Sequence, residues 1–190
     1  YVLNDAGISR ISTSDKKVTS DVVKKDKEWG ITSSLVAFGG NLYLLDTQKS
    51  RIWKYVATDK GFSELREYLN PDTLPDLSRA TGMAIDGSVW AGTSDGKILR
   101  FTQGHEDTFV PKGVVPGFGS FLLVAGSDEI DHIYVLDRDN KRVVVLDRDG
   151  TYLAQYSWQW TIVVTQMVVS EKLKKILLLA DGKIYAILLK

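Results

Sequence analysis

The chain has 190 residues, its 24 Lys and Arg side chains are balanced by 24 Asp and Glu, and 44% of its residues are hydrophobic. This composition supports one folded domain or repeat array and excludes a disordered chain; without Cys it also excludes a disulfide scaffold. A net charge of zero removes the broad positive field that drives non-specific binding to nucleic acids and anionic membranes. Apolar runs such as 176–180 are far shorter than the roughly 20 residues that span a bilayer.

An apolar segment, a polar turn and a second apolar segment recur five times along the chain. The first segments begin at Tyr1, Tyr43, Trp90, Tyr134 and Leu177. These starts are 42, 47, 44 and 43 residues apart. The turns are rich in Gly, Asn and Asp, which supply the left-handed backbone of tight hairpins. Each repeat therefore predicts a β-hairpin.

Each hairpin is flanked by two further predicted strands. Apolar segments precede the hairpins at 34–38, 81–85, 120–125 and 165–169. Polar, alternating segments follow at 17–23, 62–69, 107–110 and 151–156. Within one of these, 64–69 contains helix-favouring Glu and Leu, but its place in the repeat predicts an outer strand or a short turn. Four short strands in a period of roughly 40 to 50 residues are typical of a β-propeller blade. A β-sandwich or a solenoid is the alternative, against which the recurring hairpin argues.

The predicted fold is therefore all-β, a β-propeller of about five blades with up to four antiparallel strands each. As a single domain over residues 1–190, its blades cover about 1–30, 31–78, 79–118, 119–159 and 160–190. The first blade is expected to lack its innermost strand and the last blade its outermost strand, so we expect a piece of a longer protein. The last strand, 184–189, would then leave an unpaired apolar edge, which predicts edge-mediated self-association.

One repeat carries a recognisable motif. Residues 132–153, HIYVLDRDNKRVVVLDRDGTYL, closely resemble an NHL repeat, whose pattern is aromatic-Val-x-Asp, a turn with Asn, Arg-Val-x-Val and Asp-x-x-Gly. Residues 43–53 match moderately and residues 1–11 weakly, while the third and fifth repeats keep only the hairpin. The resemblance implies a platform that binds protein or RNA, or the outer sensor module of a bacterial membrane signalling protein. A minority of related propellers are enzymes, including lactonases and lyases.

The residues that catalysis or metal binding would need are sparse. The two histidines, His105 in a loop between the third and fourth strands and His132 in a loop between the first and second, belong to different blades and are interpreted as surface imidazoles. The acidic residues Asp137, Asp139, Asp147 and Asp149 alternate with Arg and Lys, so they are interpreted as solvated turns paired with arginine rather than a calcium loop. No Gly-x-Ser-x-Gly turn is present to hold a nucleophile. We therefore predict no cofactor, no metal and no catalytic residue.

Aromatic residues gather in the loops that lead from the outer strand of one blade to the inner strand of the next. In a propeller these loops surround one mouth of the central channel. Trp29, Phe118, Trp158 and Trp160 lie in such loops, and Arg79 opens an inner strand at the same mouth. Because Trp and Arg often anchor interfaces, these five are the predicted partner-binding residues. The alternative is that the aromatic rings only cap the core between blades.

These observations favour a non-catalytic interaction or sensing module of a larger bacterial signalling or envelope protein, with a protein or polymer partner at a Trp-lined mouth. An extracytoplasmic location is expected, with no membrane insertion in this segment. One alternative is a hydrolase or lyase with a metal in the channel, but the inner strands show Leu, Val, Ala, Met and Gln rather than ligands. The other is single-stranded RNA binding by stacking on Trp158 and Trp160, which a net charge of zero disfavours.

Overall fold

The computed structural model describes residues 1–190, which form twenty β-strands and no helix. The strands are β1 (Val2–Asn4), β2 (Gly7–Ile11), β3 (Val18–Lys24), β4 (Thr32–Phe38), β5 (Asn41–Asp46), β6 (Arg51–Tyr55), β7 (Ala57–Thr58), β8 (Gly61–Phe62), β9 (Arg66–Glu67), β10 (Ala80–Ile85), β11 (Val89–Thr93), β12 (Ile98–Thr102), β13 (His105–Asp107), β14 (Leu122–Ala125), β15 (Ile133–Asp137), β16 (Arg142–Leu146), β17 (Tyr152–Ser157), β18 (Val164–Ser170), β19 (Lys175–Ala180) and β20 (Lys183–Leu188). No membrane-spanning helix is therefore found.

The strands form five small antiparallel sheets, which are the blades of a β-propeller. In chain order the sheets are β1-β2-β3, β4-β5-β6-β9, β10-β11-β12-β13, β14-β15-β16-β17 and β18-β19-β20, here called blades 1 to 5. A two-stranded ribbon, β7-β8, is inserted before the fourth strand of blade 2. The predicted fold is confirmed, including the three-stranded first and last blades. The outer strand predicted over 62–69 is present, but it is only the two residues of β9 long.

The chain divides into two compact units, Tyr1–Ser78 with blades 1 and 2 and Arg79–Lys190 with blades 3 to 5. In the first unit, blades 1 and 2 share a core that includes Ile8, Leu42 and Trp53. In the second unit, each blade packs on its neighbour through its inner strands, β10 on β14 and β14 on β18. The prediction that residues 1–190 act as one domain stays a prediction.

Blade 4 shows why the second and third strands are apolar on both faces. All ten residues of β15 and β16 are buried. Ile133 and Val144 belong to the core shared with blade 3, whereas Tyr134 and Val143 belong to the core shared with blade 5. Since successive side chains of a strand point to opposite faces, a strand covered on both sides needs an unbroken apolar run. Each buried Val, Leu or Ile contributes about 1.5–3 kcal/mol.

The position predicted for His105 is wrong. His105 is the first residue of β13, not part of a loop, and it pairs with Thr102 across the hairpin. The turn consists only of Gln103 and Gly104, whose φ values are 52° and 86°. Two consecutive left-handed residues make the tightest hairpin, so the fourth strand begins two residues earlier than the polar alternation indicates.

Candidate partner-binding site

The five predicted partner-binding residues differ sharply in burial. Trp29 and Trp158 are each only 7% exposed, whereas Trp160 is 52% exposed. Arg79 is exposed and Phe118 is half-buried. For Trp29 and Trp158 the structure shows the core-capping role that the sequence left open as the alternative. Partner contacts by any of the five stay predictions, and those by Trp160, Phe118 and Arg79 have the accessible surface they require.

Trp29 belongs to the core of the first unit. Its Nε1 donates a hydrogen bond of 2.9 Å to the hydroxyl of Tyr55, and the two rings meet edge to face with centroids 6.2 Å apart. Burial raises the pKa of Tyr55 to about 12. Trp158 packs in the core between blades 4 and 5, where its Nε1 is buried without a hydrogen-bond partner.

In the second unit, the loop 112–121 between blades 3 and 4 is held by a buried arginine. The Nε atom of Arg142 donates to Asp137 Oδ2 at 2.9 Å. Its two terminal nitrogens donate to the carbonyl oxygens of Val115 at 3.3 Å, Pro116 at 2.6 Å and Gly117 at 3.0 Å. Arginine can satisfy several acceptors at once because its planar guanidinium carries five N–H donors. A loop without regular structure thereby obtains a fixed backbone.

Asp137 also holds the loop 112–121 in place through hydrogen bonds. Besides Arg142, it accepts hydrogen bonds from the backbone N–H of Gly119 at 3.2 Å and from the side chain of Asn140 at 2.8 Å. The predicted pairing with arginine is confirmed for Asp137, but its predicted solvation is wrong, because Asp137 is fully buried. A buried carboxylate is tolerated here because a cation and several donors replace its water shell. These contacts explain the Asp-x-x-Asn-x-Arg part of the motif in residues 137–142.

The exposed turn of blade 4, residues 138–141, connects two aromatic loops. On one side, Asp139 accepts hydrogen bonds from the hydroxyl and the N–H of Ser120, which lower its pKa. The guanidinium of Arg138 lies 3.4 Å from the centroid of the Phe121 ring. On the other side, the carbonyl oxygen of Lys141 accepts a hydrogen bond of 3.1 Å from the N–H of Trp158. Both loops are therefore anchored to one rigid turn.

Two ring contacts complete this surface. The rings of Trp160 and Tyr185 have centroids 5.5 Å apart and planes tilted by 34°. Arg142 places its guanidinium carbon 5.9 Å from the centroid of Phe118. We call the accessible set the aromatic loop face. It consists of Phe118, Phe121, Arg138, Trp160 and Tyr185. The sequence identified two of these residues, Phe118 and Trp160. Of the others, Arg138 could have been found from its place in the turn of blade 4, whereas Phe121 and Tyr185 fall within predicted strands and carry no such signal.

A second polar cluster links blades 4 and 5. One oxygen of Glu171 lies 2.7 Å from His132 Nδ1 and accepts a bond of 2.9 Å from the Tyr134 hydroxyl. The other oxygen accepts the N–H of Asp131 at 2.7 Å. Burial would raise the pKa of Glu171, but these bonds outweigh it and lower the pKa, while burial and Glu171 raise that of Tyr134. His132 is partly exposed, as the surface interpretation expects, but its partner is 39 residues away and leaves no sequence signal.

The Glu171 cluster borders an open cavity of about 300 Å³, which Tyr156 and Lys174 also line. A histidine oriented by a carboxylate resembles part of a catalytic triad, but no Ser, Thr or Cys lines this cavity. The hydrogen bonds from His132 and Tyr134 of blade 4 to Glu171 of blade 5 link these two blades. Elsewhere, no group of three or more His, Cys, Asp or Glu side chains could hold a metal ion.

Comparison with known proteins identifies the fold but no family. No protein-family model and no curated protein matches the sequence. Among solved structures, the chain is similar to PorZ of Porphyromonas gingivalis, with TM-score 0.63 and 10% identity over 97% of this chain and 23% of PorZ. BamB of Moraxella catarrhalis gives TM-score 0.52 and 13% identity over 80% of this chain and 41% of that one. Virginiamycin B lyase of Staphylococcus aureus gives TM-score 0.51 and 13% identity over 96% of this chain and 62% of the lyase.

The chain thus spans between about a quarter and three fifths of the length of these three proteins. At 10% to 13% identity, the likeness shows a shared propeller fold. A fold of this kind hosts binding proteins and enzymes alike, so function has to be argued from the site.

Proposed function

We propose that this chain is a non-catalytic interaction module of a larger bacterial envelope or secretion-associated protein, and that it binds a protein partner through the aromatic loop face. One observation carries the proposal. Phe121 and Trp160 lie in two loops that are both anchored to the turn 138–141, and each ring has a partner: the guanidinium of Arg138 for Phe121 and the ring of Tyr185 in β20 for Trp160. Rigid aromatic and arginine side chains with accessible surface are the residue types that most often carry binding energy.

Rigidity of the loops supports a binding role. A flexible loop must be ordered when a partner binds, at a cost of about 0.5–1.5 kcal/mol for each immobilised side chain. Here Arg142 and Asp137 have already fixed the backbone of residues 115–119. Trp160 is likewise held against Tyr185 before any partner arrives. Binding to the aromatic loop face should therefore cost little free energy for ordering its rings, because folding has already ordered them.

The chemistry of the face indicates the kind of partner that fits. Ring faces bind apolar and aromatic side chains, and the guanidinium of Arg138 remains close to solvent while stacked on Phe121. Lys141, in the turn 138–141, and Lys183, the first residue of β20, are exposed. A protein segment with an apolar side chain next to a carboxylate would use both the rings and the cations. Net neutrality of the chain disfavours a nucleic-acid partner.

Two observations support the bacterial setting and the repeat type. PorZ, a similar fold, is described as an essential bacterial surface component of the type-IX secretion system. The NHL-like interpretation gains support from blade 2, where Asp46 occupies the position of Asp137 and accepts the N–H of Gly30 at 2.6 Å, as Asp137 accepts Gly119. The same aspartate thus anchors the preceding loop in two blades.

Capture of partners tests the proposed face. The purified 190-residue chain is immobilised and exposed to a bacterial envelope extract, and the captured proteins are quantified by mass spectrometry. The dissociation constant of the leading protein is then measured with purified components. Trp160→Ala combined with Arg138→Ala should weaken that binding at least tenfold, by removing two anchors. Leu173→Ala, which truncates another exposed apolar side chain at the opposite end of blade 5, is the control. Equal binding by both variants would exclude the aromatic loop face.

Two further measurements separate the alternatives. A hydrolase or lyase with a channel metal predicts one stoichiometric metal by elemental analysis of the purified chain. Binding of single-stranded RNA predicts a mobility shift that weakens steeply with salt and is lost in Trp160→Ala. Either result would replace the proposal of a non-catalytic protein-binding module.

A further inference from the structure

Blade 3 places an arginine where blade 4 has a buried valine. Arg100 of β12 pairs across the sheet with Trp90, the aromatic residue that begins its hairpin, just as Val145 of β16 pairs with Tyr134. Val145 is 6% exposed and belongs to the core shared with blade 5. The side chain of Arg100 is only 26% exposed, and a charge at such a position has to be compensated by polar partners. This departure from the repeat indicates a role other than packing.

Two aromatic rings and a carboxylate hold the guanidinium of Arg100 in one orientation. Its central carbon lies 5.5 Å from the ring centroid of Trp90 and 5.6 Å from that of Phe109, and these two rings meet edge to face. Its Nε donates to Asp107 Oδ2 at 3.2 Å. The two terminal nitrogens donate to no protein atom. The fork of terminal N–H groups is therefore fixed in place and free to bind an outside acceptor.

The two rings are themselves fixed by contacts that lead to blade 4. Trp90 is 2% exposed, and its Nε1 donates to one oxygen of Asp86 at 2.9 Å. The other oxygen of Asp86 accepts a hydrogen bond from Arg148 of blade 4. The ring of Phe109 packs against Gly150, where a Cβ would lie 3.2 Å from two ring atoms. The rings therefore need little further ordering when a ligand binds.

Arg100 lines an open cavity of about 490 Å³ where blade 3, the segment 108–112 and blade 4 meet. A cavity of this size suits a small molecule. Its lining consists of Arg100, Thr108, Phe109, Val110, Lys112 and Asp149. The backbone of Lys112 is bound to blade 4 on both sides, since its N–H donates to Gly150 at 2.8 Å and its carbonyl oxygen accepts the N–H of Tyr152 at 2.9 Å. A second cation is thus positioned beside the guanidinium.

The charges around this cavity suit a ligand with one negative charge. Arg100 and Lys112 are its cations, and Asp149 is the one acid in the lining. Asp107 already neutralises part of the charge of Arg100 through Nε. A carboxylate matches the fork of terminal N–H groups and carries a single charge. A phosphate dianion would match the fork as well, but Asp107 and Asp149 would repel it more strongly.

We propose that this cavity binds a small carboxylic acid whose carboxylate is attached to an apolar or aromatic group. The terminal N–H groups of Arg100 and the ammonium of Lys112 hold the carboxylate by charge-assisted hydrogen bonds. The apolar part of the ligand lies on Phe109 and on Val110, which is 60% exposed without a ligand. None of these residues belongs to the aromatic loop face. The acid site and the protein-binding face therefore stand or fall separately.

Phenylacetate tests the ligand chemistry when it is titrated into the isotope-labelled 190-residue chain and followed by NMR. Saturable shifts are expected at the backbone N–H groups of Phe109 and Lys112. Phenylacetamide has the same shape without the charge and should bind at least about tenfold more weakly. Acetate lacks the ring and should also bind more weakly than phenylacetate. Phenyl phosphate should bind no more tightly than phenylacetate, because its second charge meets the two acids.

Variants of the two cations test their positions. Arg100→Gln should weaken the binding of phenylacetate at least about tenfold, and Arg100→Lys, which keeps the charge but not the fork, should weaken it several-fold. Lys112→Gln removes no side-chain contact of the folded chain and should also weaken binding several-fold, so it decides if Arg100→Gln fails to fold. Lys172→Gln, the same loss of charge at an exposed position of blade 5, is the control and should bind normally.

Four results would overturn the proposal. One is equal binding of phenylacetate and phenylacetamide, since the carboxylate would then contribute nothing. Another is the absence of saturable shifts up to about 20 mM phenylacetate. Clearly tighter binding of phenyl phosphate would assign the cavity to a phosphate instead. Shifts confined to the aromatic loop face would place the acid on that surface.

Discussion

Arg142 and Asp137 form an ion pair that is almost completely buried. Their side chains are 3% and 0% exposed, and Arg142 Nε lies 2.9 Å from Asp137 Oδ2. The terminal nitrogens of the guanidinium donate to the backbone of the loop between blades 3 and 4 and to the side-chain oxygen of Gln155. Buried pairs of this kind contribute little net stability compared with an apolar pair, but removal of one partner leaves the other charge without compensation.

Replacement of Arg142 by Met should therefore destabilise the second unit by about 3–5 kcal/mol. Asp137 would be left as a buried carboxylate, and residues 115–117 would lose their donors. The double change Arg142→Met with Asp137→Leu should cost clearly less than Arg142→Met alone, since no charge remains buried. Urea unfolding at pH 7 measures both. A single variant as stable as the parent chain would refute the role assigned to the pair.

Truncation to Ala should lower the stability of the chain strongly at Trp158 but hardly at Trp160, although both lie in the loop 158–163. Trp158→Ala should cost about 3–5 kcal/mol because it empties a core position between blades 4 and 5, whereas exposed Trp160 should tolerate Ala within about 0.5 kcal/mol. Trp158→Phe should lower the free energy of unfolding less than Trp29→Phe does. Trp158 Nε1 has no partner to lose, but Trp29 Nε1 donates to Tyr55. Thermal unfolding of the four variants provides the comparison.

The lowered pKa of Glu171 predicts acid sensitivity. Its pKa in the folded chain lies below the ordinary 4.5, so the stabilisation it gives is present above pH 4.5 and is lost as the pH falls through the folded value. In Glu171→Gln, the free energy of unfolding should fall less steeply as the pH decreases below about pH 5. Glu129→Gln, a change of the same type in the neighbouring loop, is the control. Chemical unfolding across pH 3–7 would contradict the assignment if the two variants lost stability in parallel.

Tyr55 predicts the corresponding effect at high pH. Its pKa is about 12 in the folded chain against an ordinary 10.0, because burial disfavours the phenolate. The stabilisation is complete below pH 10 and is lost as the pH rises toward 12, since the unfolded chain releases the proton first. Tyr55→Phe should remove this part of the alkaline loss. At neutral pH it should cost about 1–3 kcal/mol by leaving Trp29 Nε1 without an acceptor. Unfolding at pH 8 and pH 11 separates the two effects.

Gly92 allows blades 3 and 4 to approach each other closely. A Cβ at this position would lie 2.4 Å from the backbone oxygen of Leu122, an atom that also accepts the hydroxyl of Thr81. Gly92→Ala should therefore destabilise the chain by about 1–3 kcal/mol through overpacking. Gly117→Ala adds the same methyl group where no atom lies within 4 Å, and it should be neutral. Denaturant midpoints of the pair test whether the close approach is required.

The repeat and its strands could be predicted from the amino-acid sequence alone. Local turn chemistry, as at Asp181–Gly182, marks each hairpin, and the apolar runs of 133–136 and 143–146 reveal strands covered on both faces. These features are readable because they depend on neighbours in the chain. The three-stranded sheets of blades 1 and 5 followed from counting such segments.

Which side chains are accessible and which are paired could not be predicted from the sequence. Trp158 and Trp160 stand two residues apart with the same chemistry, but only the neighbouring blades determine that one is buried and the other exposed. His132 meets Glu171 across 39 residues, and Asp137 is buried because Arg142 and a distant loop enclose it. Burial and charge pairing depend on which blades come into contact, and that information is distributed over the whole fold rather than held in any local segment.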